Sequence, residues 1–178
     1  MSKTDNMIFA GFGGQGILFS AKIVAYAGML YGKEVSWLPS YGPEMRGGTA
    51  NCSVIVSDDA VASPLVSEPD ILVALNLPSY EKFIDSVKPG GCVFADSSLI
   101  ESKCKREDIK VFYIPCTKLA NDNDLHGLAN MIALGKLITE TKILPMDIIM
   151  KAIEKSIPAR KADMFESNKR AIAIGCEY

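Results

Sequence analysis

The chain has 178 residues, 48% of them hydrophobic and 22% charged, the profile of a packed globular protein and not of an intrinsically disordered one. Its formal net charge of −2 argues against a nucleic-acid binder that works by broad neutralisation of phosphates. No run approaches the roughly 18 apolar residues of a membrane span, and the first residues carry no secretory pattern, so a cytoplasmic protein is expected.

Met7 to Ala10 is a short apolar run that reads as a strand and breaks into Gly11-Phe12-Gly13-Gly14-Gln15-Gly16. A helical pattern starts at Ile17 and fades at Gly28 or at Tyr31-Gly32. Glu34 to Leu38 alternates like a strand, and Pro39 to Gly48 is dense enough in glycine and proline to be a loop. Thr49 to Val56 alternates again, with Cys52, Val54 and Val56 on one face and Ser53, Ile55 and Ser57 on the other.

Asp70 to Leu75 is a nearly continuous apolar strand, the kind covered by helices on both faces. Pro78 to Val87 reads as a helix, Cys92 to Ala95 as a second buried strand ending at Asp96, and Val111 to Ile114 as the last strand. Three helices are expected beyond it: Asp124 to Glu140, Pro145 to Ser156, and Asp163 to Ile174 with Gly175 as its stop. This order predicts one α/β domain over 1–178, a three-layer α/β/α Rossmann-like fold with a mostly parallel, mixed sheet. The short link between the strands flanking the Pro39 to Gly48 loop makes an antiparallel pair possible there, because a parallel crossover needs about a dozen residues.

The glycines satisfy G-x-G-x-x-G between a strand and a helix. Two readings are open: free amides at the helix N-terminus hold an anion such as a pyrophosphate, or the glycines only let strand and helix pack closely. A self-contained dehydrogenase is disfavoured, because the second strand ends without the acidic residue that holds ribose hydroxyls, and Glu34 stands at its start. No Gly-Lys-Ser/Thr follows the glycines, which excludes a P-loop NTPase.

The five cysteines lie at long spacings and His126 is the only histidine, so neither a disulfide framework nor a metal or cluster site within this chain is expected. His126 is read as a surface residue in a first helical turn, with Asp122 and Asp124 as capping acids. Asp96-Ser97-Ser98, after a buried strand, is a secondary candidate for pocket lining. Trp37 and Met45 are left as either core or interface anchors. In the proline and glycine loop, Arg46 offers a planar fork for a phosphate or carboxylate, and the alternative is a solvated pair with Glu44.

Gly11-Phe12-Gly13-Gly14-Gln15-Gly16-Ile17 followed by Ser40-Tyr41-Gly42-Pro43-Glu44-Met45-Arg46-Gly47-Gly48 resembles the gamma subunit of 2-oxoacid:ferredoxin (acceptor) oxidoreductases. Asn130-Met131-Ile132-Ala133-Leu134-Gly135 is similar to the same family, and the resemblance spans essentially the whole chain. It implies a subunit of a complex that decarboxylates a 2-oxoacid on thiamine diphosphate and magnesium, reduces ferredoxin through 4Fe–4S clusters, and passes the acyl group to coenzyme A. By the same resemblance the thiamine diphosphate and clusters belong to alpha, beta and ferredoxin-like delta partner subunits.

The gamma-type chain is implicated in coenzyme A binding and assembly. Gly11, Gly13, Gly14, Gln15, Gly16, Ser40, Glu44 and Arg46 are then the candidate binding residues, and no catalytic residue is assigned. Glu44 and Arg46 are assigned more to subunit contact and pocket lining than to chemistry. The alternatives are an assembly module that binds no nucleotide and a dinucleotide-binding regulator. The Ser-Tyr-Gly-Pro-Glu variant leans the substrate towards 2-oxoglutarate.

Overall fold

The computed structural model describes residues 2–41, 49–158 and 161–178. The elements run β1 (Thr4–Phe12), α1 (Ile17–Leu30), β2 (Glu34–Tyr41), β3 (Thr49–Ser57), β4 (Ile71–Ala74), α2 (Leu77–Phe83), β5 (Cys92–Asp96) and β6 (Lys110–Ile114), then α3 (Cys116–Asp122), α4 (Ala129–Thr141), α5 (Met146–Ser156) and α6 (Ala162–Glu177). One mixed sheet of 6 strands has the order β2-β3-β1-β4-β5-β6. The strands β1, β4, β5 and β6 are parallel, and β3 is antiparallel to both β1 and β2.

Phe12 lies opposite Thr49, and Tyr41 lies opposite Ala50. The carboxyl ends of β1 and β2 therefore share one edge of the sheet. That is also the edge where the parallel strands end, and where open α/β sheets bind ligands.

The period of two along β1 explains why it sits in the middle. Met7 and Phe9 are fully buried in a core with α1, α4, α5 and α6, while Ile8 and Ala10 point into a second core under α2 and the 3-10 turn at 84–86. Helices thus cover both faces, but unequally. One face carries α2 and that turn. On the other, α1 and α4 lie on the sheet, and α6 packs across α4. Helix α1 is apolar nearly all round because it is held between the sheet and α5.

Several boundaries differ from those the sequence suggests. β2 continues through Pro39 and Ser40 to Tyr41, because proline is tolerated on an edge strand. The helix expected from Asp124 begins at Ala129, and a separate helix, α3, precedes it. Asp122 and Asp124 are not caps. Asp122 is the last residue of α3, paired with Lys118 at 2.5 Å, and Asp124 adopts a left-handed backbone with φ 56. His126 lies in the turn between the two helices, exposed, with Nδ1 3.0 Å from Asn121 Oδ1.

Gly175 does not stop α6, which runs on to Glu177. It lies where α6 crosses α4 so closely that a Cβ there would come 1.9 Å from the Ile132 carbonyl oxygen. Gly135, on α4, meets α6 in the same way.

The cysteines behave as buried hydrophobes where the core encloses them. Burial pushes the Cys52 thiol up to about 12 and the Cys92 thiol up to about 11. Cys116 is also raised, by burial first and then by the nearby Asp96 carboxylate. Only the thiolate attacks an alkylating agent. At pH 8 iodoacetamide should leave Cys52 and Cys116 unmodified in the folded chain and label both in urea. Labelling of either at the rate of a free thiol without denaturant would show that these cores open.

Candidate functional site: the glycine turn at the sheet edge

The turn between β1 and α1 sits where the crossovers diverge, since β1 leads to α1 on one face of the sheet and β4 leads to α2 on the other. Its backbone needs glycine at two places: Gly14 has φ +97 and Gly16 has φ +72, conformations that cost an L residue strain.

The six residues from Gly11 to Gly16 divide into two kinds. Gly11 is a close-approach position, where a Cβ would lie 2.7 Å from Gln15 Oε1 and 2.8 Å from Ile17. Gly16 is another. Asn130 donates Nδ2 to the Gly16 carbonyl at 2.9 Å, and a Cβ on Gly16 would meet that nitrogen at 2.5 Å.

Gln15 is a clamp. Its Oε1 accepts from the Phe12 amide at 2.6 Å, and its Nε2 donates to the Leu75 carbonyl at 2.9 Å, tying the turn to the end of β4. Gly13 and Gly14 are different in kind. No heavy atom lies within 4 Å of a Cβ built on Gly14. Among the described residues no acceptor meets the Gly13 and Gly14 amides, and no side chain caps α1. Uncapped amides at a helix start, with the positive end of its dipole behind them, suit an anion.

Two cavities flank the turn. One of about 230 Å³ is walled by Phe12, Gly13, Gly14 and Leu18. The other, about 210 Å³, is walled by Gly14, Gln15, Thr117, Asn121 and Gly127. The second depends on Asp96, which is fully buried and accepts from the Ser98 amide at 3.0 Å, the Thr117 amide at 3.1 Å and the Thr117 hydroxyl at 2.5 Å. Its oxygens are engaged within the chain, so Asp96 is not itself a pocket-lining group. It positions Thr117, which is.

Of the other candidates, Ser40 is exposed on β2, opposite Asn51, which is opposite Ala10. It shares the edge with the glycine turn but stands two strands, about 10 Å, away from β1. Glu44, Met45 and Arg46 lie outside the described residues. Trp37, on the edge strand β2, is 39% exposed and so is not a core anchor. Asn130 carries a structural role that sequence reading did not assign. A polar residue opening the buried run 130–135 was its signal. Among the described residues, no group of three or more His, Cys, Asp or Glu side chains could hold a metal ion. Nor is any helix there long and apolar enough to cross a membrane.

The fold and the turn define an α/β protein with a glycine turn at the switch point of its sheet, its Gly13 and Gly14 amides without an acceptor among the described residues. The sequence pattern of the pyruvate ferredoxin/flavodoxin oxidoreductase family matches residues 6–178. A 2-oxoglutarate synthase subunit KorC from Methanocaldococcus jannaschii is 40% identical over 152 residues, which is 84% of this chain and 81% of that one. The gamma subunit of a keto/oxoacid ferredoxin oxidoreductase from Geobacter sulfurreducens superposes with a TM-score of 0.82 at 29% identity, over 97% of this chain and 96% of that one. The fold is shared as well, with a TM-score of 0.88 at 24% identity, by a 2-oxoglutarate:ferredoxin oxidoreductase from Magnetococcus marinus with 2-oxoglutarate, coenzyme A and succinyl-CoA bound. The match covers 98% of this chain but 31% of that longer one. The chain belongs to the pyruvate ferredoxin/flavodoxin oxidoreductase family, among the gamma subunits of 2-oxoacid:ferredoxin oxidoreductase complexes.

Proposed function

We propose that this chain supplies coenzyme A recognition and subunit contacts to a complex that converts a 2-oxoacid, coenzyme A and oxidised ferredoxin to acyl-CoA, carbon dioxide and reduced ferredoxin. The free amides of Gly13 and Gly14 beside the uncapped start of α1 carry this reading. They suit the pyrophosphate of coenzyme A, and the two flanking cavities offer room to the groups on either side of it. Thiamine diphosphate, magnesium and the 4Fe–4S clusters are assigned to the alpha, beta and delta subunits, and ferredoxin is the acceptor. The substrate assigned is 2-oxoglutarate, in line with the KorC relative. Glu44 and Arg46, which fall between β2 and β3 in the sequence, are assigned to subunit contact and pocket lining.

A second reading has its own support. Gly11 and Gly16 are packed against Gln15, Ile17 and Asn130, as a purely structural turn requires. Gly14 separates the two readings, because its Cβ direction is empty. In the assembled complex Gly14→Val should raise the KM for coenzyme A on the order of tenfold, since a β-branched residue at positive φ distorts the amide pair. The KM for the 2-oxoacid and the reductive half-reaction should stay the same. Unchanged coenzyme A kinetics in an intact complex would make the turn a packing device and the chain an assembly module.

A further inference from the structure

We propose that Asn130, in the first turn of α4, is a positioning residue for coenzyme A binding: it holds the glycine turn in the conformation that presents the Gly13 and Gly14 amides. This rests on the coenzyme A reading of the turn and adds to it a residue that acts from beneath. Asn130 is 3% exposed, and its Nδ2 donates to the Gly16 carbonyl at 2.9 Å, 114 residues earlier in the chain.

The turn needs such a tie because its own residues fix only one side of it. The Gln15 amide closes it on the Phe12 carbonyl at 3.2 Å, with Gly13 and Gly14 between. The Gln15 side chain then secures the entry through the Phe12 amide and the Leu75 carbonyl. The exit has no such hold of its own. Gly14 and Gly16 both have positive φ, no side chain caps α1, and glycine has more backbone freedom than any other residue. Asn130 supplies from α4 the hold that the exit lacks. Fixing a flexible segment in its binding conformation beforehand strengthens binding by lowering the cost of ordering it.

The bond differs from ordinary helix packing in two respects. The Gly16 carbonyl already accepts from the Phe19 and Ser20 amides, each at 3.1 Å, so the helix can start without a further donor. Asn130 is also a costly side chain to bury, because its Oδ1 has no hydrogen-bond partner. A leucine would occupy the place without that cost. What only the amide supplies is direction, a donor aimed from a fixed helix at one carbonyl of the turn. The fit is close, since a Cβ on Gly16 would come 2.5 Å from that nitrogen and 2.8 Å from Asn130 Cγ.

The test is Asn130→Leu in the assembled complex. It removes the donor and the unpaired acceptor together and leaves Gly16 its two helical amides, so the urea midpoint of the chain should barely shift. The KM for coenzyme A should rise about fivefold, the size of one lost hydrogen bond, while the KM for the 2-oxoacid stays the same. Asn130→Ser, whose side chain is too short to reach the carbonyl, should give the same shift, and it serves if the leucine variant does not assemble. Gly14→Val, measured beside them, keeps two failures apart. If it leaves coenzyme A kinetics unchanged, the coenzyme A reading fails and the positioning role falls with it. If it raises that KM while the Asn130 variants leave it unaltered, only the positioning role is overturned. Failure of both Asn130 variants to assemble, or a loss of stability with neither KM changed, also overturns it, because Asn130 would then be a packing residue.

Discussion

Gly175→Ala should destabilise the chain by about 3 kcal/mol, although alanine is the better helix former by about 1 kcal/mol. The added carbon would sit 1.9 Å from the Ile132 carbonyl oxygen, 2.9 Å from its carbon and 3.0 Å from the Lys136 nitrogen. All of these are backbone atoms of α4, so no rotamer change relieves the overlap. Helix α6 must move outward, and apolar contacts along the crossing loosen with it. For a chain of this size the melting temperature should fall by roughly 10 °C.

Gly135→Ala should act alike, since its Cβ would lie 2.2 Å from the Ile172 carbonyl oxygen. Because both act through one helix separation, the double variant should cost less than the two singles added. A melting temperature at or above that of the unmodified chain would show that the two helices separate freely.

The second large effect is expected at Asp96. Asp96→Ala removes the acceptor of three hydrogen bonds inside a fully buried site. The Ser98 amide, the Thr117 amide and the Thr117 hydroxyl would be left without it. Each orphaned donor costs about 1–3 kcal/mol, and partial rearrangement brings the sum to about 3–5 kcal/mol. Asp96→Asn keeps one carbonyl oxygen for the Thr117 pair and should cost about half as much. Urea denaturation of the three proteins checks this order. Equal midpoints would mean that the carboxylate does not organise the start of α3.

The sheet was legible because its strands obey the period of two. Cys52, Val54 and Val56 fall on the α1 face as their alternation predicts. The short link between β2 and β3 made an antiparallel pair possible, and that is the pairing found. Features set by distant partners were not legible. Cys116–Asp122 has no strong apolar stripe, and it starts as a helix where Thr117 meets Asp96, 21 residues upstream. With α3 unseen, Asp122 and Asp124 looked like caps of the following helix.

Gly175 looked like a stop because nothing near it in sequence reveals the α4 backbone against which it packs. In the glycine turn the pattern itself was plain, but the division of labour within it was not. Gln15 reaches the Leu75 carbonyl 60 residues away, and Gly16 is constrained by Asn130, 114 residues away. Only the fold shows which members of the motif are occupied and which stay open.

The turn between α3 and α4 is a wall common to two cavities: Asn121 and Gly127 face the glycine loop, while Asp124 and His126 face α6. A hydrogen bond from His126 to Asn121 crosses it. Two ligands that each shift this segment on binding would be thermodynamically linked, and such a linkage is reciprocal. If coenzyme A binds at the glycine turn and a partner subunit docks against the other wall, whatever factor docking contributes to coenzyme A affinity, coenzyme A returns to docking. Measuring sedimentation of the complex with and without coenzyme A, and coenzyme A binding with and without partners, must give the same factor twice. The turn would then make assembly and acyl acceptance parts of a single equilibrium.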